Sequence, residues 1–268
     1  MIESSRRAEH ILANSLPSMP DGATPASRGT HVLAGREVAV LQRPADGIAF
    51  QLWPSASLLA VILTSSCTLE GKVVLELGAG CGAVGIRAGM EGASRVVVTD
   101  TKDAVAHLAA NVAANDCGNV ETDVLEWGST TIPYSAGDFD VVLLSDCFYW
   151  EHLHQRLLDT LLLLTTCATV VYMAHEWRRQ EVEKRFFDEV KKSFEVEEVE
   201  RKGAIVVMRA TRRQVDGGSV VPERESSVDK LLERIRLLEN DLESIDGIDG
   251  EVDEENSQRI HFWPAEED

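Results

Sequence analysis

The sequence is short of cysteine pairs, of long apolar runs and of positive charge, and each shortage removes a class of protein. Cys67, Cys81, Cys117, Cys147 and Cys167 are odd in number and form no CxxC pair. A disulfide framework or zinc ribbon is therefore not expected, and a reducing compartment, cytoplasmic or nuclear, is. The Leu- and Val-rich uncharged stretch from Thr160 to Ala174 is shorter than the roughly 20 residues of a membrane helix. It also changes midway from Leu-rich to Val-rich, which suits a helix followed by a strand. Near the start, Arg6 and Arg7 stand among Glu3 and Glu9 with no apolar stretch of the secretory kind.

The charge deficit is uneven. Of the net −19, residues 216–268 carry −12, from 17 acids against 5 Lys or Arg, which leaves −7 for residues 1–215. That is no surface for phosphate, so nucleic acid is not an expected partner. His152, His154 and His175 lack the spacing of a ligand set, and no metal is expected.

What is present is a strand–turn–helix signature, Val73-Val74-Leu75-Glu76-Leu77-Gly78-Ala79-Gly80-Cys81-Gly82. An apolar run, an acid and alternating glycines read as a buried strand and a tight turn feeding a helix. Glycines let backbone N–H groups approach a ligand that side chains would push away.

Around it the chain repeats strand and helix. Strands are expected at 72–77, 95–99, 120–125, 139–145 and 168–173, with helices at 82–91, 103–115, 151–164 and 177–192. Continuous runs such as Val96-Val97-Val98 and Val141-Val142-Leu143-Leu144 indicate burial on both faces, as in a parallel sheet covered by helices. Phe194–Val199 and Ala204–Met208 flank Lys202-Gly203 as a closing hairpin, which makes the last strand antiparallel. Before the core, Val38–Leu41 and Ile48–Phe50 flank Pro44-Ala45-Asp46-Gly47 as an N-terminal hairpin. Pro54 then opens a helix to about Cys67.

The domain reading is a disordered arm over 1–30, the main domain over 31–213 and a linker over 214–226. A helix over 227–246 and an acidic tail over 247–268 follow. Val228, Leu231, Ile235, Leu238, Leu242 and Ile245 space as a heptad seam, which fits either a short coiled coil or a lone amphipathic helix. In the first case a weak homo- or hetero-oligomer would form through 228–245.

The glycine turn alone satisfies both a dinucleotide fingerprint and an acid-x-Gly-x-Gly-x-Gly pattern. In both, an acid about 20 residues on, here Asp100, binds ribose hydroxyls. Two later segments separate the cofactors. Asp123–Gly128 places an acid and Trp127 beyond the third sheet strand, where an indole can stack on adenine. Ser145–Trp150 ends the fourth, where ligands gather in open α/β sheets. With the sheet closed by a hairpin, a second substrate domain of the dehydrogenase kind is not expected, and S-adenosylmethionine is the expected cofactor.

These residues resemble the seven-β-strand methyltransferases, and within them the protein-lysine methyltransferase group that includes the valosin-containing-protein lysine methyltransferase. The likeness is carried by Leu52–Ala56, Val74–Gly82 with Val84-Gly85, Val98–Asp100, Leu125–Gly128 and Asp146-Cys147-Phe148-Tyr149. Glu176-Trp177-Arg178-Arg179 and Glu181–Phe187 look like the group's substrate-side segment. It spans about residues 35–212, and nothing beyond transfers. The resemblance implies a doubly wound, Rossmann-like α/β fold with a seven-stranded, mostly parallel sheet. It also implies an enzyme methylating lysine on a protein, with cofactor contacts at Trp53, Gly78, Gly80, Asp100, Trp127 and Ser145.

Beside that resemblance, the residues themselves suggest Ala79 in the cofactor turn and Glu76 holding the cofactor's amino group through water or bonding the turn. Asp146 would orient the acceptor amine, directly or through water. Tyr149, with Trp150, would face the amine's growing positive charge. A methyltransferase acting on another side chain or small amine, and a binding module acting through the C-terminal heptads, fit the same residues. Neither Cys81 nor Cys147 has a paired His in sequence, so a cysteine nucleophile is not expected.

Overall fold

A computed structural model describes residues 27–65 and 69–214. The expected linker beyond Gln214, the heptad helix, the acidic tail and residues 1–26 of the arm lie outside the described residues.

A hairpin comes first, β1 (Ser27–Leu33) and β2 (Arg36–Gln42), antiparallel and separate from the main sheet. This corrects the sequence expectation twice. Residues 27–30 are strand rather than arm, and the hairpin turns at Ala34-Gly35 rather than at Pro44–Gly47. Both turn residues take positive φ (47° and 79°), which an Ala does not announce in sequence. Pro44–Asp46 and Ile48–Phe50 are instead single 3₁₀ turns. The loop closes by an Arg43 N–H to Phe50 C=O bond of 2.7 Å, since the fixed φ of Pro44 starts a tight turn.

The main elements are α1 (Pro54–Ser65), β3 (Val73–Leu77), α2 (Ala83–Gly89), β4 (Arg95–Asp100), α3 (Val105–Ala113) and β5 (Val120–Val124). Then come β6 (Val141–Ser145), α4 (His154–Leu164), β7 (Val170–Glu176), α5 (Gln180–Ser193), β8 (Phe194–Lys202) and β9 (Ile205–Arg212). Helix α4 is preceded by a 3₁₀ turn at Glu151–Leu153, and β7 runs three residues past the expected end because it pairs along β9 to Glu176.

The seven strands run in the order β5-β4-β3-β6-β7-β9-β8; β5 to β7 are parallel and β9 is antiparallel to both neighbours. Alternate residues divide between two apolar layers. Val74, Val96, Val98 and Leu143 pack under the hairpin, α1, α2 and α3, while Leu75, Val97, Val142 and Leu144 pack against α4 and α5. Burial on both faces is why these strands read as unbroken apolar runs. No helix among the described residues is long and apolar enough to cross a membrane.

Side chains fasten the hairpin to this body. The amide of Asn111 bonds both the N–H (2.8 Å) and C=O (3.2 Å) of Leu41, and Asn115 does the same for Ala39 at 2.8 Å each. Arg87 donates to the carbonyls of Leu33 and Ala34. The segment after the hairpin is thereby laid across the carboxyl ends of β3 and β4, and a Cβ on Gly80 would stand 3.0 Å from the Ala49 carbonyl oxygen.

Candidate active site

The carboxyl ends of β3, β4, β5 and β6, with residues 48–53 in front, enclose a cavity of about 350 Å³. Ten of the residues singled out in the sequence line it: Trp53, Glu76, Gly78, Ala79, Gly80, Asp100, Trp127, Ser145, Asp146 and Tyr149; Trp150, expected beside Tyr149, is exposed and does not.

The floor is the turn after β3. Gly78 has φ +63°, and a Cβ there would lie 2.8 Å from Trp127 Cζ2 and 3.0 Å from Cys147 Sγ, so the indole edge rests on a bare Cα. Asp100 holds the turn from β4: its Oδ2 accepts the Gly80 N–H and its Oδ1 the Thr101 N–H, both at 2.7 Å. Burial raises its carboxyl, and these two N–H bonds work against the rise.

Glu76 is 1% exposed, and its Oε2 accepts the Gly85 N–H at 2.8 Å, inside α2 rather than in the glycine turn. Burial pushes its carboxyl up to about 8 against that bond, with the nearby Asp100 charge adding to the rise. The two acids of this segment part: Glu126, beyond β5, faces the cavity, whereas Asp123, within β5, accepts the Tyr134 hydroxyl at 2.6 Å.

Asp146 follows β6 with φ +60°, rare for a residue other than Gly, and is buried. Its Oδ1 accepts Arg178 Nη1 at 2.8 Å, and its Oδ2 accepts Arg178 Nη2 at 3.0 Å and Ser55 Oγ at 3.1 Å. His175 Nδ1 lies 3.2 Å from Oδ1, and His175 Nε2 lies 3.2 Å from Glu183 Oε1. Both are close enough to pair ionically but off the angle of a hydrogen bond. Burial alone would raise the Asp146 carboxyl; His175 and Arg178 outweigh it and hold the group at about 2. Ser55 Oγ also meets Ser145 Oγ at 3.0 Å, linking two cavity walls.

Tyr149 is half-buried, its ring centroid 5.6 Å from that of the exposed Trp150. Burial and the neighbouring acids push its phenol up, so it stays neutral. Cys81 does have a histidine nearby: His107 Nε2 is 3.7 Å from its sulfur. Burial pushes the thiol up to about 12 and the imidazole down to about 4, so near pH 7 they form no thiolate–imidazolium pair.

Sequence reasoning missed Ser55 and Arg178 as parts of this site. Arg178 falls in the substrate-side segment that the resemblance marks, but its reach back across 32 residues to Asp146 leaves no trace in spacing. No group of three or more His, Cys, Asp or Glu among the described residues could hold a metal ion.

A family model described as lysine methyltransferase matches residues 33–193. Protein N-lysine methyltransferase METTL21A of Danio rerio is 37% identical over 158 residues, which cover 57% of this chain and 72% of that protein. EEF1A lysine methyltransferase 3 of Mus musculus is 30% identical over 184 residues, covering 67% and 78%. Among solved structures, the T. Thermophilus 16S rRNA N2 G1207 methyltransferase, in complex with AdoMet and guanosine, shares the fold. Its TM-score is 0.54 at 19% identity, over 74% of this chain and 52% of that one.

The chain belongs to the lysine methyltransferase family. It is an S-adenosylmethionine-dependent enzyme, and its substrate is a protein. The cavity suits that cofactor: bare Cα atoms at Gly78 and Gly80 in its floor, a buried acid at the end of β4 and an indole beyond β5.

Proposed function

We propose the following division of labour for methyl transfer to a lysine side chain. Gly78, Ala79 and Gly80 carry the cofactor on their backbone, Asp100 holds its ribose hydroxyls, and Trp127 packs on its adenine. Glu76 faces its amino group; Trp53 and Ser145 close the remaining walls. When bound there, S-adenosylmethionine supplies a methyl group on a sulfonium, open to in-line displacement.

The chain's own residues handle the amine. A lysine has a reference pKa of about 10.4 and must lose its proton before it can attack. Asp146, held at about 2, is too weak a base to take that proton. Its contribution is a fixed negative charge beside the acceptor. The Tyr149 ring supplies a π-face for the charge that grows on nitrogen. Positioning and exclusion of water carry the rest of the rate.

The observation that supports this reading is the convergence of all ten residues, from five separate segments, on one cavity. The acidic balance of the chain favours a protein over a nucleic-acid partner, and cysteine usage favours a cytoplasmic or nuclear setting. Labelled S-adenosylmethionine incubated with the protein and a cell lysate tests the assignment. Label on a lysine of a lysate protein, lost with Asp100→Asn, is expected; label on another side chain would overturn it.

A further inference from the structure

The Arg178 guanidinium sits in a small receptor of its own. Its Cζ is 4.9 Å from the centroid of the Trp53 ring. Its two terminal nitrogens bond the two oxygens of Asp146, and Nη2 also bonds Glu176 Oε2 at 2.5 Å. One aromatic face with two carboxylates is what an organic cation requires. Trp53 and Asp146 also face the cofactor cavity; Arg178 does not, and its side chain keeps 33% of its surface exposed.

While Arg178 stays there, Asp146 has nothing left to offer a substrate. A carboxylate has roughly four acceptor positions, and here Arg178 takes two, Ser55 a third, and His175 stands against the fourth. The backbone of the same segment is secured separately. Glu183 accepts the Arg178 N–H at 3.2 Å and the Arg179 N–H at 3.0 Å. The side chain can therefore leave without undoing the start of α5.

Building on the lysine-methyltransferase reading, we propose that Trp53, Asp146 and Glu176 form the docking site for the substrate's alkylammonium group, and that Arg178 occupies it as an internal stand-in. Substrate binding displaces the guanidinium, which exchanges one cation for another on the same aromatic face and frees both Asp146 oxygens. Arg178 thus sets a threshold: a side chain that is not cationic cannot replace it.

The Trp53 indole N–H, bonded to the Ile48 carbonyl at 3.0 Å, is a local reporter in proton–nitrogen NMR, its cross-peak assigned with Trp53→Phe. The probe is n-butylammonium, with n-butanol as its neutral counterpart. In Arg178→Ala, n-butylammonium should shift this signal saturably at a concentration at least tenfold lower than in the wild-type chain, and n-butanol should not. Arg178→Gln serves as a second variant. Equal half-saturation in wild type and variants, or no shift in any of them, overturns the proposal. So does failure of both variants to fold, which would make Arg178 a structural brace. Calorimetry of the wild-type chain with S-adenosylhomocysteine runs alongside: absence of heat there counts against the methyltransferase reading and leaves the cation result to be judged on its own.

Discussion

Glu76 and Gly85 fit each other as one object: the carboxylate accepts the glycine N–H at 2.8 Å, and a Cβ on that glycine would stand 2.6 Å from the same oxygen and 2.2 Å from Val98 Cγ1. Neither neighbour can give way, since both project from central strands. Gly85→Ala should cost about 1–3 kcal/mol in urea unfolding. Gly118→Ala, with nothing within 4 Å of its Cβ, should stay within about 0.5 kcal/mol of wild type.

Glu76 also makes stability depend on pH. Its folded pKa, about 8, lies above the unfolded 4.5, so the folded state binds the extra proton. Stability therefore falls as pH rises from about 4.5 to about 8 and levels off beyond. Glu76→Gln removes this slope. The variant should gain on wild type by an amount on the order of 3 kcal/mol between pH 5 and 8, read as a widening difference in Tm, while it binds S-adenosylhomocysteine more weakly.

Asp100→Asn keeps an oxygen for the Gly80 N–H but loses the charge proposed to grip the ribose. Titration calorimetry with S-adenosylhomocysteine should show Kd about 10–100-fold higher, with a small fall in Tm of the free protein because the amide NH2 cannot accept the Thr101 N–H. A Kd equal to wild type would remove Asp100 from the cofactor site.

Asp146 has the opposite sign to Glu76. Its folded value of about 2 lies below the ordinary 3.8, so its pairing stabilises above that ordinary value and the benefit disappears as pH falls through about 2. In Asp146→Asn a loss of about 2 kcal/mol at pH 7 is expected, and the acid-side fall between pH 4 and 2 should be shallower than in wild type. Methyl transfer to lysate protein should drop as well; unchanged turnover would discard the role given to Asp146.

The site was legible where its chemistry sits next to its scaffold in sequence. Gly78, Gly80, Asp100 and Trp127 each lie at, or within three residues of, the end of a strand whose apolar run announces it, so periodicity and turn chemistry place them together. Ser55 and Arg178 are 91 and 32 residues from the Asp146 they hold, and only the packing of α1 and the segment before α5 brings them near. In the fold, the parallel core and closing antiparallel strand could be read from burial patterns. The hairpin could not, because Ala34 adopts a positive φ that sequence assigns to Gly or Asn, while Pro44–Gly47 has turn composition but no strand after it.

Asn111 in α3 and Asn115 in the turn just past its end, four residues apart, present their amides to β2 with the spacing and polarity of a neighbouring backbone. A helix thereby stands in for a missing strand, and that side of the ribbon has no free donors or acceptors at Ala39 and Leu41 with which to recruit an extended segment from another molecule. Exchanging both amides for leucines would fill similar space and still uncover a seam along which two copies of the chain could stitch together.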